Sequence, residues 1–300
     1  MKNLFVSYLY KLRHDLAFKI TLIIGGGLAV LLTGIYFLLS LLIKVNAIDG
    51  PTMIISALSP GSNFGLAVPV NLITFTVLEF NQGSIRNKII AGHSKANVYT
   101  SLILNGLVFT FVLMIAYVLL CFGLGSLFGV ITKNILEGMR SDEIARTGYS
   151  EIIPEISSAY SGMYIFKMIV LAIFCYISIF SFTIFFSTLF RNIGPSIPVV
   201  ILVLVFASSL APIVVMVGDR NEGLLWAFRI IDPLFCLGAN ESEVVGQTIG
   251  LSPEGVPVVY DVTEPTVTNE TFISGICSNV VYAALFYVGG LFIFKKRDVK

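Results

Sequence analysis

Long apolar runs, charged at most near an edge, alternate along this chain with short polar stretches. Six such runs predict membrane-crossing helices at about 20–43, 63–78, 97–131, 165–190, 196–217 and 272–294. A crossing needs about 20 apolar residues at 1.5 Å each, and these runs are near or above that length. Residues 1–19 follow a different rhythm. Phe5, Tyr8, Leu9, Leu12 and Leu16 fall on one stripe, and Asn3, Ser7, Lys11 and His14 on the opposite face. Lys2, Lys11, Arg13 and Lys19 add positive charge, the profile of a helix lying at the membrane surface among lipid headgroups. The expected fold is therefore an all-α polytopic membrane protein. It would hold an interfacial helix at 1–19 and a six-span body over 20–300. The run at 20–43 exceeds the ~7–15 residues of a signal-peptide core and no A-x-A-like site follows it, so it is expected to remain as a span.

Details within the runs refine this picture. Gly25, Gly26 and Gly27 offer a smooth patch where another helix could approach closely. Residues 44–62, with Asp49, Pro51 and Pro60, read as a short loop. Pro69 and Asn71 predict a kink and a polar spot in the second span. The third run is too long for one upright span, so its end is expected to tilt or bend along the interface near Gly123 and Gly125. Gly125 and Gly129 also form a small-xxx-small pair. Residues 133–164 are polar and acidic and read as an external loop, and 191–195 as a tight turn. The largest loop is 218–271. It begins with an apolar stretch at 224–237 that holds the single tryptophan, Trp226, and suits an interfacial or re-entrant helix broken at Asp232 and Pro233. The stretch 256–267 is β-prone and suits a small hairpin.

Composition agrees with the pattern. The 300 residues are 56% hydrophobic and 12% charged, against about 25% charged in soluble chains. The net charge of +1 conceals an asymmetry. If both ends lie on one side, that side carries Lys2, Lys11, Arg13, Lys19, Arg86, Lys88, Lys95, Arg191, Lys295, Lys296, Arg297 and Lys300, twelve of the nineteen lysines and arginines. The positive-inside rule makes that side cytoplasmic and places both termini there. Fifteen of the eighteen carboxylates fall on the other side and leave it acidic. Four scattered cysteines include no C-x-x-C, so no zinc or redox motif is expected. Cys121 and Cys175 read as buried small hydrophobes, while Cys236 and Cys277 share the outer side, where a disulfide is open to them.

The missing chemistry also narrows the function. The chain has no G-x-x-x-x-G-K-S/T loop, no H-E-x-x-H and no G-x-S-x-G. His14 and His93 both lie in polar segments. No Lys, Arg, Asp, Glu or His occupies the central turns of the six runs. Ion-coupled carriers usually need such groups to bind the ion or relay the proton, so any active transport is expected to draw its energy from outside the membrane. Backbone sites for sodium at broken helices remain open on this reading.

The segment 79–104 is where that energy would enter. Ser84 is expected to cap a short helix over 85–91, Gly92 to stop it and Ser94 to cap the next one. Ile85 and Ile89 share a face, with Arg86 and Lys88 beside them. This suits a surface gripped by another protein. Glu79 is expected either to pair with Arg86 or Lys88, or to couple the chain to a partner.

These features resemble the permease subunits of ABC-2-type ATP-binding-cassette transporters, chiefly bacterial exporters of peptides, antibiotics and lipid-linked sugars. The resemblance rests on the basic amphipathic segment KNLFVSYLYKLRHDLAFK and on EFNQGSIRNKIIAGHSK between the second and third spans. It also rests on the six-span layout with a large loop before the last span, and on the ending Phe294, Lys295, Lys296, Arg297, Asp298. Two departures are Ser84, where the family commonly has Thr, and a long 133–164 loop. The resemblance implies a coupling helix at 83–92 that docks in a cleft of a separate ATPase. Glu79, Gly83, Ser84, Ile85, Arg86, Asn87, Lys88, Ile89, Gly92 and Ser94 would be its docking residues. It further implies two ATPase copies that bind ATP and magnesium, a second permease chain (a homodimer or a paralogue), surrounding membrane lipid and no nucleic acid. This chain would hold no cofactor, catalyse nothing itself and sit in the cell membrane. A substrate route near Pro69, Asn71 and Pro198 would suit hydrophobic or amphipathic cargo. Two other readings stay open: a membrane sensor or assembly protein that binds an ATPase without transporting, and an intramembrane enzyme built on polar span residues such as Asn71 and Asn105.

Overall fold

The apolar runs are helical in the computed structural model, which describes residues 5–7, 10, 14, 16–43, 48–58, 63–147, 161–190, 192–218, 223, 227, 241–251 and 257–296. In chain order the helices are α1 (Leu16–Ile43), α2 (Gly50–Leu58), α3 (Asn63–Asn81), α4 (Ser84–Ile90), α5 (Lys95–Thr147), α6 (Gly162–Phe190), α7 (Ile193–Gly218) and α8 (Asn269–Lys296). Strands β1 (Glu241–Leu251) and β2 (Pro257–Thr266) lie between α7 and α8. Among the described residues, four helical stretches are long and apolar enough to cross a membrane: Phe18–Leu42, Lys95–Met139, Gly162–Phe190 and Asn269–Lys296. Helices α3 and α7 add shorter apolar stretches, Val68–Asn81 and Ile193–Phe206. The chain is thus a multi-pass membrane protein with a helical membrane body.

Local chemistry sets most helix starts. The Asp49 carboxylate accepts the Thr52 N–H at 2.7 Å and opens α2. The Ser94 hydroxyl accepts the Asn97 N–H at 3.2 Å, as expected, and opens α5. Ser161 does the same for Tyr164 in α6 at 3.1 Å, and Thr268 for Thr271 in α8 at 3.3 Å. Each cap satisfies an orphan donor of the first turn, which matters most beside a medium that offers no water. Inside the bundle, Thr110, Thr183 and Ser187 hydroxyls donate to the carbonyl four residues back at 2.7–3.0 Å. That is how polar side chains stay in apolar helices without an unmet donor.

Helix α6 is the core of the bundle: 61% of its span is buried, against 11% for α1, which faces outward. It packs most closely along α8, where Phe182 and Phe185 meet Phe286 with ring centroids 5.2 and 5.5 Å apart. At one end of this pair the Lys167 ammonium donates to the Val267 carbonyl at 2.6 Å and to Asn269 Oδ1 at 3.1 Å.

Several expectations are corrected. Residues 50–58 form the buried helix α2, not part of a loop, because Pro51 sits in the first turn, where a missing N–H costs nothing. The third run is helical without a break through Gly123 and Gly125. It continues as one helix of 53 residues, about 80 Å long, through residues 133–147, which the sequence assigned to a loop. Gly125 and Gly129 instead seat α2. A Cβ on Gly129 would lie 2.6 Å from the Ile48 carbonyl oxygen, and one on Gly125 would lie 2.9 Å from that of Asp49. In the first glycine patch, Gly25 and Gly27 meet nothing within 4 Å, whereas a Cβ on Gly26 would lie 3.9 Å from the Leu120 side chain of α5. The turn before α7 is shorter than 191–195, since α7 already begins at Ile193. The β-prone segment is a strand, but its antiparallel partner is β1, from Glu241 opposite Thr266 to Leu251 opposite Pro257, with an irregularity between Val244 and Gly246. This ribbon is the exception to an all-α reading. Cys121 and Cys175 are buried and Cys277 is exposed and free. Cys236, the 224–237 stretch apart from Ala227, and most of 1–19 lie outside the described residues.

The seat of α2 gives a test. Gly129→Ala forces Cβ against backbone and is expected to cost about 1–3 kcal/mol, read as a lower Tm in detergent. Gly123→Ala, whose Cβ meets nothing within 4 Å, is expected to leave Tm unchanged. Equal Tm values for the two variants would show that α2 is not seated on that face.

Candidate functional site

Helix α4 has seven residues. An isolated helix below ~12–15 residues is marginal in water, so α4 depends on what fastens it. Its entry is Gly83 in the left-handed region, φ 67°, and no side chain caps it. Ser84 is therefore the first helical residue, not the cap expected from sequence. The Asn87 N–H donates to the Gly83 carbonyl at 2.9 Å. At the exit Gly92 has φ 90°. Its N–H donates to the Ile89 carbonyl at 3.0 Å, and the His93 N–H to the Lys88 carbonyl at 3.2 Å. That pair of bonds is a Schellman stop. Both turns need positive φ, where a Cβ costs roughly 1–2 kcal/mol.

Side chains then fix which way α4 faces. Glu79, in the last turns of α3, is 0% exposed, and its Oε2 accepts from Lys88 Nζ at 3.0 Å. Lys88 is 16% exposed. Of the two partners open to Glu79 in the sequence, the structure selects Lys88. Ile85 is buried and Ile89 packs on the same core. The ridge of Ile85 and Ile89 thus faces this chain's own body, because a short amphipathic helix buries its apolar stripe. It is not the outward grip expected from sequence. What α4 presents outward is Arg86, Asn87, Ile90 and Ala91, with Ile90 71% exposed. Ile90 is the residue that sequence reasoning missed; it lies four positions after Arg86 and shares its face.

The same end of the bundle is tied to α8. Phe294 is 1% exposed and sits between Phe80 and Tyr99, with centroids 5.9 and 5.4 Å away. Tyr99 OH rests against Gly290. The Lys95 ammonium donates to the Lys295 carbonyl at 3.1 Å, and the hydroxyls of Thr100 and Tyr287 are 3.0 Å apart. The start of α5, the end of α3 and the end of α8 therefore meet beside α4. Arg297 and Asp298 lie outside the described residues. The other predicted positions are not gathered here. Pro69 is buried within α3, Pro198 is exposed on α7, and the Asn71 side chain lies outside the described residues. Among the described residues no group of three or more His, Cys, Asp or Glu side chains is placed to hold a metal ion.

No family model matches this chain, and neither a curated protein nor a solved structure does.

The buried ion pair predicts an asymmetric mutational result. Removing either partner alone (Glu79→Met or Lys88→Met) leaves a buried charge unmatched and is expected to cost about 3 kcal/mol. The double variant, which carries both changes, is expected to recover most of that loss. Additive losses in a double-mutant cycle on unfolding in mixed micelles would show that the two groups do not act as a pair.

Proposed function

We propose that this chain is the membrane subunit of an ATP-driven exporter, a permease of the ABC-2 type, moved by a separate ATPase that docks on α4. The observation that carries this reading is the build of α4. A helix too short to stand alone is held by a buried ion pair, with Arg86, Asn87 and Ile90 turned outward. A plain connection between two membrane helices has no need of such fastening. Further support comes from the lack of ionisable groups in the central turns of the spans, which leaves an ion gradient little to act on.

In this reading all six apolar helices cross the cell membrane, and both termini and α4 are cytoplasmic. Two permease chains, alike or paralogous, each meet one ATPase copy, and the ATPases bind ATP and magnesium. Closure of the ATPase pair pushes on Arg86, Asn87 and Ile90. The ion pair of Glu79 with Lys88 passes the push to α3, and the contacts of Tyr99 and Phe294 pass it to α5 and α8. The spans then move as rigid bodies between two arrangements. Cargo would pass near Pro69, Asn71 and Pro198, and the scarcity of charge along those helices suits a hydrophobic or amphipathic molecule such as a peptide, an antibiotic or a lipid.

The test alters only the outward face. Arg86→Glu with Ile90→Glu is expected to leave Tm unchanged, to abolish co-purification of the partner ATPase and to remove substrate-stimulated ATP hydrolysis. Full retention of both would overturn the docking assignment. ATPase binding by the unaltered chain with no cargo movement in vesicles would favour a sensor or assembly role.

A further inference from the structure

A cleft of about 420 Å³ lies where the N-terminal helical residues meet the last turns of α3. Tyr10, His14 and Leu16 form one side, and Phe75, Leu78, Glu79 and Gln82 the other. The volume is in the ~300–1,000 Å³ range of small-molecule sites. Its chemistry is divided. Leu16, Phe75 and Leu78 are apolar, whereas Tyr10, His14 and Gln82 offer a phenol, an imidazole and a carboxamide. The rings of Tyr10 and His14 lie against each other, with centroids 4.6 Å apart. The single carboxylate, Glu79, is already neutralised by Lys88 at 3.0 Å.

Position decides what can enter. Leu16 opens α1, and the membrane-crossing stretch of that helix starts at Phe18. Lys19 is exposed at this border. Just beyond it Ile20, Ile23 and Ile24 are 45%, 74% and 51% exposed, an apolar surface suited to hydrocarbon. The cleft lining thus reaches Leu16, two residues before the membrane-crossing stretch of α1 and close in the chain to that exposed apolar surface. An occupant there needs a polar head that accepts hydrogen bonds and an apolar tail.

We propose that this cleft binds one anionic phospholipid of the surrounding membrane. The phosphate-bearing head lies at Tyr10, His14 and Gln82. The upper part of an acyl chain lies against Leu16, Phe75 and Leu78. Lys19, exposed three residues after Leu16, favours an anionic head over a zwitterionic one. The cleft wall includes Glu79, so a bound lipid presses on the turn of α3 that holds α4. This inference stands on the cleft alone and does not require the ATPase.

The test uses the full chain with Trp226→Phe and Phe75→Trp, reconstituted in vesicles doped with brominated phosphatidylglycerol or brominated phosphatidylcholine at equal mole fraction. The introduced tryptophan is expected to show about fivefold stronger apparent affinity for the brominated phosphatidylglycerol as a quencher. Adding His14→Ala and Gln82→Ala is expected to remove that preference. Native mass spectrometry of the chain without the tryptophan changes is expected to retain one phosphatidylglycerol, and none after His14→Ala with Gln82→Ala. Equal quenching by the two lipids, or retention unaffected by those changes, would overturn the assignment.

Discussion

A carboxylate with no exposure, at the end of a bundle whose spans carry no Lys, Arg, Asp, Glu or His in their central turns, is the constraint on which the rest depends. Even after relaxation, taking such a charge out of water costs several kcal/mol, so Glu79 can stay ionised there only with a partner of good geometry. Lys88 supplies one at 3.0 Å. The pair adds little stability over an apolar alternative. Its effect is to fix orientation: α4 must lie with Lys88 and Ile85 inward, and therefore with Arg86 and Ile90 outward. The two left-handed glycines, Gly83 and Gly92, then turn the chain sharply enough to bring α4 back over α3 and on into α5.

Around that pair the bundle is tied differently at its two ends. Beside α4, aromatic rings and backbone-directed ammonium bonds join α3, α5 and α8. At the far end of α6 and α8, Lys167 holds the start of α8. Between the two ends, phenylalanines interdigitate along α6 and α8, and the hydroxyls of Thr183 and Ser187 donate to carbonyls of their own helix. In lipid, where apolar burial gives little drive, such packing and internal satisfaction of polar groups hold helices together.

Much of this was legible in the residues. The runs at 20–43, 165–190 and 272–294 match α1, α6 and α8 within four residues at each end, because hydropathy summed over twenty positions tolerates local exceptions. The misses were local. Asp49 followed by Gly50 and Pro51 is a helix start, but the two prolines flanking the segment read as loop signals. Glycines 125 and 129 read only as a small-residue pair, and their contact with the start of α2 needs the fold to be in view. Strand β1 carries Glu, Gln and two Gly, so its propensity is poor; its pairing with the valine-rich β2 decides its state. At the site, no periodicity could choose Lys88 over Arg86 for Glu79, since the Gly83 turn lies between them. The inward ridge of Ile85 and Ile89 followed from burying the apolar stripe, a choice that needs the neighbouring helices to be in view.

The most direct measurement is hydrogen exchange of the 84–93 amides, comparing the unaltered chain with Lys88→Met. If the ion pair fastens α4, these amides are slow in the unaltered chain, and the substitution speeds them at least about tenfold, the factor for about 1.4 kcal/mol of lost local stability, while α6 stays slow. Protection of α4 that is identical in both proteins would contradict the account.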